Sequence, residues 1–161
     1  MEYDIQNTNI GLILAGIDDE GLRSVSFQQG KHPMTIPEMW TRNNRVLKPV
    51  FDQIHAYLHG ELTCFELTLA PIGTRFQKSV WAALLGIPYG KTASYGDIAT
   101  AIGNPKACRA VGGANGKNPI PLIIPCHRII GADGKLVGYG SGLPLKKKLL
   151  ALESKYHHGQ R

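Results

Sequence analysis

Apolar positions change their spacing along the chain, and each change predicts a different element. The run IGLILAGI, followed by Asp18-Asp19-Glu20-Gly21 and then Leu22, Val25 and Phe27, predicts a β-hairpin closed by a polar turn. Residues 31–42 (KHPMTIPEMWTR) carry Pro33 and Pro37 and read as a loop. From Asn44 to Gly60, Val46, Val50, Ile54, Tyr57 and Leu58 recur at helical spacing, with Gly60 as the stop. ELTCFELTLAP then sets Phe65, Leu67 and Leu69 on one side and Leu62, Cys64, Glu66 and Thr68 on the other, which predicts a strand ended by Pro71. This half reads as a small α/β scaffold.

Beyond Gly73 the chain becomes glycine-rich, and short helical stripes replace the strands. Phe76, Val80, Ala83 and Leu84 fit one face of a helix closed by Gly86. Ser94 and Asp97 have the spacing of a capping box, which starts a helix of about two turns with Ile98, Ala101 and Ile102 inward and Gly103 at its end. Asn104 as cap and Pro105 at the first helical position predict an immediate restart. Two short helices joined by Gly-Asn outline a helix-turn-helix. The second, KACRAVGGAN, turns small residues inward: Ala107, Ala110, Val111 and Ala114. Gly112 and Gly113 each cost about 1 kcal/mol relative to alanine inside a helix. Either a nucleic-acid backbone or a neighbouring helix approaches them closely. After the buried-looking run Leu122–Ile124 and the turn-rich GADGKLVGYGSG, Pro144 starts a last helix with Leu145, Leu149 and Leu152 on one face and a frayed tail, KYHHGQR.

Length and composition narrow the class. The 161 residues suffice for one domain or two packed subdomains, and no apolar run approaches the roughly 20 residues that span a bilayer. The N-terminus MEYDIQNTNI lacks a basic leader and an apolar stretch, so the expectation is a cytoplasmic protein. Cys64, Cys108 and Cys126 are odd in number and widely spaced, which predicts free thiols. Charge is uneven: residues 1–72 hold five Lys and Arg against nine Asp and Glu, and residues 73–161 hold thirteen against three. The second half, at +10, is the part suited to a polyanion.

The candidate chemistry lies in IIPCHRII, residues 123–130. An ordinary cysteine, with its pKa near 8.5, is only a few per cent thiolate at neutral pH, so a nucleophilic Cys126 needs local help. On a regular strand Arg128 shares the face of Cys126 and His127 points away. Either Pro125 breaks the strand, or His127 acts through water or a second group. Read in isolation, Cys126 is equally well a structural thiol.

Residues 94–130, SYGDIATAIGNPKACRAVGGANGKNPIPLIIPCHRII, closely resemble the O6-alkylguanine-DNA alkyltransferase family. The match runs from Thr74-Arg75-Phe76-Gln77 through IPYGKTASYG to GYGSGL and LLALE; the first half matches in layout and length more than in residues. The resemblance implies an α/β (α+β) fold: a ribonuclease H-like N-terminal subdomain with an antiparallel sheet at 1–72, then a winged-helix-like helix-turn-helix domain at 73–161.

For the site, the resemblance implies that Cys126 accepts the alkyl group in a single turnover and that His127, a bound water and Glu153 form a relay favouring the thiolate. Asn118 would brace the turn, and Tyr95 would donate to the flipped base. Tyr139, Gly140, Arg128 and Ile129 would line the substrate pocket. Arg109 would fill the space of the extruded nucleotide, and Asn104, Lys106, Gln77 and Lys117 would join Tyr95 in contacting DNA. Gly140 stands where some relatives carry serine, and the zinc ligands of some animal members are absent: Cys64 is the one cysteine of that half, and His32 lies far from it in sequence. The implied partner is duplex DNA carrying O6-alkylguanine, with O4-alkylthymine a further candidate lesion. The protein would act as a monomer at the nucleoid, without cofactor, metal or membrane. Rival readings are an alkyltransferase-like binding protein, excluded from repair by lacking the cysteine, a helix-turn-helix regulator, and a Cys-His hydrolase.

Overall fold

The computed structural model describes residues 1–159. Three strands, β1 (Glu2–Thr8), β2 (Gly11–Asp18) and β3 (Gly21–Phe27), form an antiparallel meander, and the short β4 (Thr41–Arg42) pairs parallel to β1 in the order β3-β2-β1-β4. The predicted hairpin is β2–β3. Its turn is held by Asp18 Oδ1, which accepts from the Glu20 amide at 2.9 Å. The strand β1 escaped the sequence pattern because its one buried residue is Asp4, 2% exposed and paired with Arg42 Nε at 2.9 Å.

Helix α1 (Asn44–Leu58) packs on this sheet, capped by the Asn43 side chain. Its buried face is Leu47, Val50, Phe51, Ile54, Tyr57 and Leu58, so Val46, assigned inward by the pattern, lies outside it at 39% exposure. The strand expected in ELTCFELTLAP does not form. Leu22 bonds Thr68 O and Ala70 N, while the Gln53 side chain of α1 satisfies both the amide and the carbonyl of Glu66. A side-chain amide thus takes the place of a ladder partner at Glu66, and the segment meets the sheet through the single parallel bridge of Leu69 with Leu22.

The second half carries α2 (Arg75–Leu85), α3 (Tyr95–Ala101), α4 (Cys108–Gly116) and α5 (Leu143–Gly159), with β5 (Ala93–Ser94) parallel to β6 (Ile129–Ile130). The predicted capping box of α3 is present: the Asp97 amide donates to Ser94 Oγ and the Ser94 amide to the Asp97 carboxylate. Ala101 is exposed, and Ala99 takes the buried place beside Ile98. The restart comes later than predicted. Asn104 and Pro105 lie in the turn, and α4 begins at Cys108 with no side-chain cap. Within α4 the buried residues are Val111, Ala114 and Asn115, whereas Ala110 faces solvent.

One apolar cluster joins Ile13, Val25, Leu47 and Ile54 of the first half to Val80, Trp81, Val111 and Ile120 of the second. Two hydrogen bonds fix the site's supports within it: Val25 N to Pro119 O at 3.0 Å, and Trp81 Nε1 to Ala114 O at 2.9 Å. The tail expected to fray continues as helix through Gly159, because Tyr156 lies over Gly60 and His157 over Gly90. Gln160 and Arg161 of that tail lie outside the described residues.

At Gly60, φ is +76° and an added Cβ would stand 2.3 Å from the Tyr156 ring. Gly60→Ala therefore combines backbone strain with a clash, and should destabilise the protein by about 1–3 kcal/mol in urea unfolding.

Candidate active site

A single 3-10 turn, Cys126–Arg128, stands where a regular strand would have continued the aliphatic run. Pro125 caps it, the Cys126 amide donates to Ile124 O at 2.8 Å, and the Arg128 amide to Pro125 O at 3.0 Å. Asn118 holds the preceding loop from both ends: its Nδ2 donates to Ile124 O at 2.8 Å and its Oδ1 accepts from Ile120 N at 2.9 Å. The turn abolishes the strand's alternation, so His127 and Arg128 both reach Glu153 of α5.

Glu153, 1% exposed, accepts from five donors. They are His127 Nε2 (2.7 Å), Arg128 Nε (2.8 Å) and Nη2 (2.9 Å), Tyr57 Oη (2.5 Å) and the Gly90 amide (3.2 Å). Burial alone would raise its pKa, but the hydrogen bonds from His127 and Arg128, with their charges, bring it down to about 2. The group is a carboxylate throughout the physiological range.

A carboxylate can only accept, so the proton between it and His127 sits on Nε2. Burial lowers the His127 pKa against the pull of Glu153, which keeps the ring neutral near pH 7. Its Nδ1 then carries a lone pair, and this buried atom has no hydrogen-bond partner among the described residues. Burial also pushes the Cys126 thiol up, opposed by Asn118, the Lys146 ammonium and Tyr139. Lys146, 0% exposed, donates to Val137 O at 2.7 Å and so anchors the glycine-rich loop that carries Tyr139.

A cleft of about 400 Å³ opens on Cys126, lined by Asn118, Pro119, Pro121, Tyr139 and Gly140 on one side and by Ser24, Phe27 and Met34 of the N-terminal half on the other. Arg128 and Ile129, implied as pocket residues, lie elsewhere. Arg128 is turned into the Glu153 network with Nη1 on Ile87 O, and Ile129 is wholly buried opposite Ala93.

Above the site, α4 presents Arg109, Ala110 and Gly113 to solvent, with Asn104, Lys106 and Lys117 exposed at its two ends. A Cβ on Gly113 would meet nothing within 4 Å, and one on Gly112 only the Tyr95 ring at 3.7 Å. Among the described residues no close helix contact accounts for Gly113, and Gly112 faces only the Tyr95 ring of α3. Tyr95 is partly buried at the start of α3, its pKa raised by burial and by Cys126. Gln77 is committed locally, its Oε1 accepting from the Thr74 amide at 2.9 Å in the α2 capping box.

Sequence reasoning missed Tyr57 and Lys146. Tyr57 reads in the sequence as one more member of an apolar helical stripe. Lys146, Leu149 and Glu153 recur at i, i+3 and i+7, a stripe as regular as the leucines and the one the fold buries most completely.

A helix-turn-helix together with a buried thiol, imidazole and carboxylate, backed by a small sheet domain, defines a DNA-binding protein class with a buried cysteine at its candidate site. The sequence comparisons are specific about which. Residues 75–155 match the family described as 6-O-methylguanine DNA methyltransferase, DNA binding domain, and residues 1–71 match its ribonuclease-like domain. The methylated-DNA–protein-cysteine methyltransferase of Methanosarcina acetivorans is 54% identical over 95% of this chain and 98% of its own length. That of Mycolicibacterium paratuberculosis is 48% identical over 97% and 94%. Mycobacterium tuberculosis OGT, crystallised in complex with DNA, superposes with a TM-score of 0.90 at 44% identity, covering 97% of this chain and 94% of that one. The chain belongs to the 6-O-methylguanine DNA methyltransferase family.

Because the Glu153 pKa is depressed on folding, its stabilisation is complete above about pH 4.5 and is lost as the pH falls toward 2. Unfolding free energy measured over that window should drop by about 3 kcal/mol on its account. Glu153→Gln should flatten this part of the curve while lowering stability at pH 7 by about 3–5 kcal/mol, since Arg128 is left buried without its counter-charge.

Proposed function

We propose that this protein repairs DNA by moving the alkyl group of O6-alkylguanine onto Cys126 in one irreversible turnover. The observation that carries this reading is a buried thiol, Cys126, followed in the same turn by a buried His127 whose Nδ1 has no partner among the described residues, in a domain whose helix-turn-helix leaves Arg109 and Ala110 exposed. A water joining Nδ1 to the thiol would take the Cys126 proton to His127, while Glu153 stabilises the imidazolium that results. The thiolate attacks the O6-bound carbon in line. The S–C bond forms, the C–O6 bond breaks, and its electron pair stays on guanine. Tyr95 would donate toward the departing base, whose charge is then neutralised by a proton. Alkyl and hydrogen have exchanged places, and the thioether does not regenerate a thiol.

The O6-bound carbon of a stacked guanine is closed to in-line attack, so the nucleotide must leave the helix. Arg109, exposed on α4, would fill the gap. Ala110 and Gly113 leave α4 without bulk where a groove floor would approach. Lys106, Lys117 and Asn104 would meet phosphates, with affinity falling as salt rises. The substrate assignment extends to O4-alkylthymine as a second lesion that presents an alkylated exocyclic oxygen. The protein would work as a monomer.

Incubation with O6-methylguanine duplex should raise the intact mass by one methylene, at one equivalent per protein and on the Cys126 peptide alone. An adduct retained in Cys126→Ala, or release of product over many turnovers as in a hydrolase, would overturn the assignment. Arg109→Ala should slow transfer from duplex on the order of tenfold or more in single-turnover kinetics, because extrusion costs a few kcal/mol that Arg109 helps recover. Transfer from the free lesion base should change little.

A further inference from the structure

Tyr57 enters the site from the other half of the molecule, in the penultimate residue of α1. It is 0% exposed, and its hydroxyl donates to Glu153 Oε2 at 2.5 Å while standing 3.5 Å from His127 Nε2. The same carboxylate oxygen receives His127 Nε2 at 2.7 Å and Arg128 Nη2 at 2.9 Å. Three donors therefore compete for one oxygen, and what the phenol withdraws is unavailable to the imidazole. The ring itself is fixed by Phe65, with centroids 5.3 Å apart, and edge-on by Tyr89 at 6.0 Å. Arg128 in turn lies 5.7 Å from the Tyr89 ring. Core packing requires an aromatic ring at position 57; it does not require the hydroxyl.

We propose that Tyr57 is a positioning residue of the cysteine-activating relay, its hydroxyl moderating the hold of Glu153 on His127 so that the imidazole stays neutral and able to take the thiol proton. The inference rests on the relay reading above. The groups facing His127 and Glu153 are Tyr57 from α1, Tyr89 and the Gly90 amide from the loop after α2, Arg128 from the turn, Tyr139 from the glycine-rich loop, and Lys146 from α5. Burial and Glu153 hold the phenol well above its ordinary pKa, so it remains a donor at all working pH values.

The direction of the effect follows from charge. Without the Tyr57 donor, Oε2 becomes more basic, the imidazolium is better stabilised, and His127 titrates at higher pH. Tyr57→Phe should then raise the His127 midpoint in an NMR titration of the unreacted protein by about 0.5–1 pH unit. The acid limb of the alkylation rate on O6-methylguanine duplex should move the same way, leaving the variant severalfold slower than wild type at pH 6 and close to it at pH 8. Replacing Tyr57 by 3,5-difluorotyrosine, a stronger donor with nearly the same shape, should shift both curves in the opposite direction. This second variant also decides the matter if Tyr57→Phe fails to fold. An unmoved His127 midpoint, or an equal loss of rate at every pH, overturns the proposal and makes Tyr57 a packing residue only. The NMR titration requires no lesion, so a failure there is distinct from a failure of Cys126 to accept an alkyl group.

Discussion

The carboxylate of Glu153 is the interaction on which the rest depends. A fully buried charge is tolerated only when its lone pairs are occupied, and here five donors from three other segments supply the partners. Each donor thereby has its own position set: the turn through His127 and Arg128, the loop after α2 through Gly90, and the N-terminal helix through Tyr57. Leaving any of these segments unplaced would strand part of a charge in the interior. The same constraint that holds α5 against the turn also assigns the His127 tautomer, so structure and candidate chemistry share one cause.

The N-terminal half takes a direct part in this arrangement. Beyond Tyr57, it bonds the loop behind Cys126 through Val25 and Pro119, and its third strand and the following loop supply Ser24, Phe27 and Met34 to the cleft wall. The family matches divide the chain near residue 72, yet the apolar core runs across that division. The acidic first half thus supports a site whose outer face belongs to the basic second half.

The glycines of α4 show how a local cost can point outward. Gly113 has open space where a side chain would sit, so no contact among the described residues offsets its helix penalty. Trp81 fixes the carbonyl end of this helix from below, and Arg109 remains free to face a partner. Rigidity beneath and emptiness above suit a helix that presses close to another surface.

Much of this was legible in the chain itself. The β2–β3 hairpin, α1, the capping box of α3 and the buried run before Cys126 follow from spacing and local hydrogen-bonding capacity, which depend only on neighbours a few residues away. The long motif from Ser94 to Ile130, through its resemblance, singles out Cys126 as the candidate acceptor, and the charge difference between halves points to the second half as the part suited to a polyanion. Other features required the tertiary structure. Asp4 hides a strand because its counter-ion lies 38 residues off, and Gln53 prevents another by satisfying Glu66 from a helix. Arg128 was assigned to the pocket until a buried carboxylate from α5 claimed it. Tyr57 reads as one more aromatic in an apolar stripe, and only a partner 96 residues away makes it polar. Periodicity reports which face of an element is buried; which atom waits there to receive a proton is decided by the segments that fold against it.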